Sequence, residues 1–319
     1  MIARDEPGLV GIGDDCAVFR SGEGMDVLLT TDMLVEAVHF LRDRIPPHLL
    51  GRKAIAVNLS DIAACGGIPR EAVVAVAVPP DVSVEYLDAL CAGMRECAHQ
   101  YGVNIIGGDT TSSPRELVIS VALTGEVISG KAVLRSGARE GDVILLTGPI
   151  GDAAAGLDIL EHHLDLKQSF ADLVTAQCDP RPHVREGQVI GDSGLAMAMI
   201  DISDGIAGDL GHICRASGLG AQIEWDRLPQ SALFREYVSR TGADGRALAL
   251  SGGEDYVLLL TAGQARAEPL TALLQRECGT SLFPIGVMTA GSRIELVLPD
   301  GTRLTLSPSG WDHFRQARQ

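Results

Sequence analysis

The sequence predicts an α+β fold in two domains: a mixed N-terminal α/β domain over residues 1–137 and an α/β sandwich-like domain over 138–319. Three observations carry this. Strand-like and helix-like runs are mixed over the first 130 residues, and an antiparallel hairpin is expected near 117–135. A polar, glycine-containing connection, RSGAREGD (135–142), then divides the chain. Beyond it come units that read as strand, tight glycine loop and helix.

In chain order, DVLLTTD (26–32) is rich in β-formers and reads as a strand. HLLGRKAIAVNLSDIAAC (48–65) reads as a helix stopped by Gly66-Gly67. AVVAVAV (72–78) is a strand, and a second helix runs over about 83–101 after Pro79-Pro80. LVISVALTGEV (117–127) is a strand leading into a turn at Ser129-Gly130. DVILLTGPIGDAAAGLDIL and GLAMAMIDISDGIAGDLGHIC are the two strand–loop–helix units, and further strands are expected at 246–250, 256–261 and 293–298.

Composition narrows the function. At 319 residues the chain can bury a sizeable core, and 46% of it is hydrophobic. A net charge of −16 argues against nucleic acid or an anionic membrane as partner, since both need a basic surface. The seven cysteines show no C-x-x-C spacing and mostly lie in apolar surroundings, which suits buried thiols in a reducing compartment and speaks against zinc. No apolar run reaches the ~18 residues of a membrane span and the start lacks a signal-peptide pattern, so a soluble cytoplasmic protein is expected.

The chemistry lies in six short segments where small residues and an apolar run lead to an acid: GIGDD (Asp14, Asp15), VLLTTD (Asp32), AVNLSD (Asp61), NIIGGD (Asp109), MIDISDG (Asp201, Asp204) and ALSGGED (Glu254, Asp255). Any one of them reads more simply as a turn. Together, with nearly all lacking a nearby Lys or Arg, they point to acids held for a metal, because buried carboxylates are costly unless paired, protonated or metal-bound. Asp61, three residues after Asn58 in an Ala-rich helix, is the most informative; Arg52 and Lys53 offer it a structural pairing instead. Thr30, Thr31 and Asp32 supply consecutive oxygen donors of the kind Mg²⁺ prefers, and Asp109-Thr110 and Asp201/Ser203/Asp204 repeat the arrangement.

Other segments are weaker. GEVISGKA (125–132) approaches a P-loop, but Ala132 replaces the Ser/Thr that would hold Mg²⁺ and no helix follows. GPIGDAAAG is not a dinucleotide fingerprint, yet its context could hold an anion at a helix N-terminus. His39, Arg135 and Trp311 each read more simply as structural or surface residues when taken alone.

GIGDDCAVF, LLTTDMLVEAVHF, KAIAVNLSDIAACGG, IIGGDTT, VLRSGAREGDVILLTGPIGDAAAGL, DISDGIAGDLGHI and LSGGEDYVLLLT stand here in the order found in the thiamine-monophosphate kinases, and over nearly its whole length the chain resembles that family. The resemblance implies an aminoimidazole ribonucleotide synthetase-like fold, a homodimer through the first domains, and ATP-dependent phosphorylation of thiamine monophosphate. It further implies that Asp14, Asp15, Thr30, Thr31, Asp32, Asp61, Asp109, Asp201 and Asp204 hold several Mg²⁺ ions. By the same resemblance Tyr101, Gly108, Asp109, Arg135 and Ser203 contact ATP, and His39, Glu254 and Trp311 contact thiamine monophosphate. Relatives of the family usually carry a longer stretch before GIGDD than the ten residues here. The rival readings are a sister synthetase of the superfamily, against which NLSDIAACGG and LSGGED speak, and a non-catalytic ATP/Mg²⁺-binding regulator, against which the full set of acids speaks. Since a phosphate monoester is largely dianionic at pH 7, no general base is expected.

Overall fold

The structure, a computed structural model, describes residues 9–10, 13–20, 22 and 24–307. Trp311 lies outside the described residues. Among them the chain forms two sheets. The first is five-stranded and contains β1 (Ala17–Arg20), β2 (Met25–Val35), β3 (Ile68–Val78), β4 (Asn104–Ser112) and β5 (Val118–Ile128), in the order β1-β2-β5-β3-β4. β2 and β5 pair antiparallel over their whole length, while β4 runs parallel to β3 at the sheet edge.

Two-residue alternation decides which side chains β2 sends to the core. Asp26, Leu28, Thr30, Asp32 and Leu34 face the side covered by α1 (Pro47–Ala64), and Leu29, Thr31 and Met33 face the other side. The latter face is open: Leu29, Met33 and Val73 of β3 are each at least 39% exposed.

α1 has no polar face. It packs against α2 (Val84–Gln100), β2 and β5 on one side, and against α5 (Val184–Ser193) and β7 (Ala196–Asp201) of the second half on the other. Glycines permit this. A Cβ on Gly51 would lie 2.0 Å from Leu90 O, and one on Gly187 would lie 2.2 Å from Ala63 O. Polar side chains along the buried length of α1, such as Lys53 and Ser60, are therefore held at the interface between the two halves.

The second sheet adds β6 (Val143–Leu146), β8 (Gly220–Glu224), β9 (Leu258–Ala262), β10 (Phe283–Thr289), β11 (Ile294–Val297) and β12 (Arg303–Leu306), ordered β12-β11-β8-β10-β6-β9-β7. β9, LLLTA, is buried at every residue, as befits a strand covered on both faces. The helices of this half include α3 (Asp152–His162), α4 (Ala171–Cys178), α6 (Ile206–Ser217), α7 (Ala232–Thr241), α8 (Gly245–Ser251) and α9 (Gln264–Cys278).

Three local expectations are corrected. Residues 246–250 belong to helix α8: the Asp244 carboxylate caps it by accepting from Arg246 N and Ala247 N, and the alternating Ala and Leu are helix formers. The hairpin near 117–135 lacks its second arm. The chain does turn at Ser129-Gly130, where the Asp26 carboxylate accepts from Ser129 Oγ and Gly130 N, but Val133 N then donates to Cys65 O at the end of α1. Asp109, whose segment taken singly reads as a turn, lies inside β4, on an edge strand exposed at every residue.

Candidate active site at the junction of the two sheets

Three of the six acidic segments converge. Carboxylate oxygens of Asp15, Asp61 and Asp201 lie within 4.8 Å of one another. Each comes from a different element: Asp15 from the turn before β1, Asp61 from α1, and Asp201 from the end of β7. Ser60, beside Asp61 on α1, donates to Asp201 Oδ2 at 2.6 Å and ties the helix to the second sheet. Thr30 Oγ1 donates to Asp61 Oδ2, and Asn58 Oδ1 accepts from Asp32 N at 3.0 Å, so Asn58 and Asp61 do share the face turned to β2.

The cluster is electrostatically unfavourable by itself. Burial, then the charge of Asp201, pushes Asp15 up to about 7. Burial with Asp204 and Asp15 nearby raises Asp32 to about 6, and burial raises Asp201 to about 6. Asp61 is driven well above the carboxylate range, by burial first and then by Asp32, Asp201 and Asp15. Among the described residues no ion pair reaches Asp61 or Asp201; Arg135 is spent on Asp15, with Nη2 at 2.8 Å from Oδ1. The neighbouring cations of α1 go elsewhere: Arg52 pairs with Asp179 and Glu96, and Lys53 pairs with Glu254. Two acids thus have cationic partners that lie far away in sequence, Asp15 with Arg135 and Glu254 with Lys53.

The remaining predicted residues divide into two groups. Asp32, His39, Ser203, Asp204 and Glu254 line one cleft of about 630 Å³. His39 Nδ1 accepts from Val35 N at 3.0 Å. Asp14 accepts from Asp15 N and from Arg135 N, and so fixes the turn that carries Asp15. The Thr31 side chain points to the other face of β2 and donates to Val121 O at 2.9 Å. Tyr101 caps α2, and Gly108 and Asp109 lie on exposed β4; the structure brings none of these three into the cleft or the acid cluster. Gly108 is required by packing, since its Cβ would lie 1.9 Å from Val74 O.

Two acids serve the scaffold. Asp209, in the first turn of α6, accepts from Ser203 N and Asp204 N at 3.1 Å each and shapes the loop after β7. It was invisible as a site residue because it reads as part of an ordinary helix start. Asp255 accepts from Gly151 N at 2.7 Å and Ala153 N at 3.2 Å, so the anion at the GPIGDAAAG helix start is the protein's own carboxylate. Asp255→Ala should lower stability by about 1–2 kcal/mol in denaturant unfolding, as loss of a helix cap does; an unchanged midpoint would show that the cap is idle.

The family models match on both sides of this junction. "AIR synthase related protein, N-terminal domain" covers residues 13–127, and "AIR synthase related protein, C-terminal domain" covers 139–299. The chain is 39% identical to thiamine-monophosphate kinase of Salmonella typhimurium (strain LT2), over 95% of this chain and 91% of that protein. It is 40% identical to thiamine-monophosphate kinase of Escherichia coli (strain K12), over 96% and 92%. The chain belongs to the thiamine-monophosphate kinase family. Among solved structures, AaThiL complexed with AMPPCP and TMP superposes with a TM-score of 0.83 at 34% identity, over 95% of this chain and 92% of that one. Membership explains why acids from both halves meet: family members share the two-part architecture, and here α1 places its acid between the parts. No helix among the described residues is long and apolar enough to cross a membrane.

Proposed function

We propose that this protein transfers the γ-phosphoryl group of ATP to the phosphate of thiamine monophosphate, giving thiamine pyrophosphate and ADP. The carrying observation is the trio Asp15, Asp61 and Asp201 at the domain junction, Asp15 and Asp201 buried and Asp61 half-buried, with Arg135 the one cation paired to it among the described residues. Full-length relatives at 39–40% identity and the likeness to a structure holding an ATP analogue and TMP supply the substrate names.

The donor set fits magnesium: carboxylate oxygens with the Thr30 hydroxyl beside them, all hard ligands. Asp15, Asp61 and Asp201 would hold it, with Asp32 and Asp204 lining the cleft and Asp14 and Thr30 hydrogen-bonded beside the trio; Thr31 and Asp109, set apart from the trio within one chain, join the proposed set by the family resemblance alone. Bound there, magnesium supplies the positive charge that lets two phosphate groups approach each other. The need is large, since each unit-charge pair at ~4 Å repels by ~4 kcal/mol at an effective dielectric of 20.

The chain's own residues do the rest. Arg135 neutralises Asp15 and fixes the GIGDD turn through its backbone and guanidinium. Asp209 holds Ser203 and Asp204 in place at the cleft edge. Tyr101, Gly108, Asp109, Arg135 and Ser203 are the proposed ATP contacts, and His39, Glu254 and Trp311 the acceptor contacts. The acceptor phosphate is already ionised, with a second pKa of ~6, and needs no base. Transfer is therefore direct, in line, without a phosphoenzyme. Protein incubated with ATP alone should show no mass increase of one phosphate; such an increase would overturn direct transfer. ATP, magnesium and thiamine monophosphate together should yield thiamine pyrophosphate, and failure of folded protein to make it would overturn the assignment.

The reading extends to a cytoplasmic, soluble homodimer with domains at 1–137 and 138–319. Leu29, Met33 and Val73 form an exposed apolar face on the first sheet, suited to burial against a second copy. Met33→Asp is expected to shift the protein toward monomer in sedimentation velocity with its circular dichroism unchanged. A variant that stays dimeric would place the interface elsewhere.

A further inference from the structure

One buried cation beside the cleft, not in its lining, has no role in metal or phosphate binding. Lys53, on α1, is 1% exposed, and its ammonium lies 2.7 Å from Glu254 Oε1 and donates to Gln177 O at 2.9 Å. Gln177, on α4, is 5% exposed and donates from Nε2 to Glu254 Oε2 at 2.5 Å. Both Glu254 oxygens are thus held from behind, by two different helices. Each carboxylate oxygen can accept twice, so each keeps one acceptor position. The Glu254 side chain is 23% exposed and lines the cleft, which is where those positions are available.

The backbone is arranged for the same end. Glu254 has a left-handed backbone, φ 68, which a non-glycine residue adopts at a cost, and its N–H donates to Ser203 O at 2.8 Å. The Gln177 amide orientation follows from its neighbour: with Glu254 accepting from Lys53, only the NH₂ end can face it. A buried lysine that serves merely to fill a core would need no carboxylate reaching into solvent-accessible space.

We propose that Lys53 and Gln177 are positioning residues, holding the Glu254 carboxylate at the cleft wall so that it accepts a hydrogen bond from a ring-borne amino group on the organic half of the acceptor. This rests on the function proposed above. Thiamine monophosphate carries such a group on its pyrimidine ring, far from the phosphate that reacts. The Lys53–Glu254–Gln177 unit would therefore choose the acceptor without touching ATP.

The test is a double-mutant cycle on the full chain with thiamine monophosphate, ATP and magnesium. Gln177→Met removes the amide at nearly constant volume and without altering charge; Glu254→Gln neutralises the carboxylate. Each single variant should raise KM for thiamine monophosphate about tenfold, as loss of a buried hydrogen bond to substrate does, with KM for ATP unchanged. Because Gln177 acts through Glu254, the double variant should be no worse than the poorer single one. Lys53→Met alone leaves the Glu254 carboxylate without its cation and is read beside Lys53→Met/Glu254→Gln, in which no charge is stranded. That double variant should lose no more than Glu254→Gln. Losses that multiply, or a KM for ATP that rises equally, would overturn the proposal. Absence of product from the wild-type protein would instead overturn the function on which it rests.

Discussion

Asp61→Asn is expected to lower kcat by about 10²–10³-fold or more while making the metal-free protein more stable. The two effects have one cause. Asp61 sits among Asp15, Asp32 and Asp201 on a helix buried nearly all round, and burial and their charges both oppose its ionisation. Asparagine keeps the shape and can still bond to the Thr30 hydroxyl, but cannot carry the charge, and so escapes the burial and like-charge penalty that raises the Asp61 carboxyl. The same charge is what a magnesium ion would need, and losing one anionic group from such a site costs most of the transition-state stabilisation. Single-turnover kinetics and thermal melts in chelator give both readouts. Near-normal turnover would remove Asp61 from the metal site; lower metal-free stability would make it a structural acid.

Magnesium should stabilise the protein little at pH 5 and strongly at pH 8. The sign follows from the raised carboxyls. Asp15 at about 7 and Asp32 and Asp201 at about 6 all lie above the ordinary 3.8, so between about pH 4 and 7 the folded state binds more protons than the unfolded one. By linkage their contribution is full at the acid end and is lost as pH rises through 6 to 7, a change of about a few kcal/mol. Magnesium would bind only the deprotonated acids, so its effect should grow over the same window. His183 works in the opposite direction: burial lowers it to about 4, so its contribution is lost as pH falls below 6.5. Comparing wild type with Asp61→Asn by scanning fluorimetry cancels His183 and isolates the cluster. A magnesium shift that does not change with pH, or that persists in the variant, would contradict this account.

Much of this was legible in the sequence because it was local. The Gly66-Gly67 stop of α1 and the start of α2 after Pro79-Pro80 read directly, as did the apolar runs of β6 and β7 with their following helices. The run at 246–250 misled because alternating Ala and Leu fits a strand by period and a helix by propensity, and the Asp244 cap decided between them. What the sequence could not reveal was pairing at a distance. Arg135 reaches Asp15 across 120 positions, and Lys53 reaches Glu254 through the docking of α4, although Asp61 is far nearer to it in sequence. Glu254 and Asp255 are adjacent, yet one lines the cleft and the other caps α3, because a left-handed φ at Glu254 separates their directions. Asp109 and Tyr101 kept the look of site residues, and within one chain the fold sets both apart from the cluster.

The measurement that bears most directly on the central claim is a crystal structure with manganese replacing magnesium and a non-hydrolysable ATP analogue bound, read by anomalous scattering. The account predicts manganese peaks within coordination distance of Asp15, Asp61 and Asp201, with the analogue's terminal phosphate turned toward them. Manganese bound elsewhere, with that trio free of metal while the same protein turns over thiamine monophosphate, would contradict it.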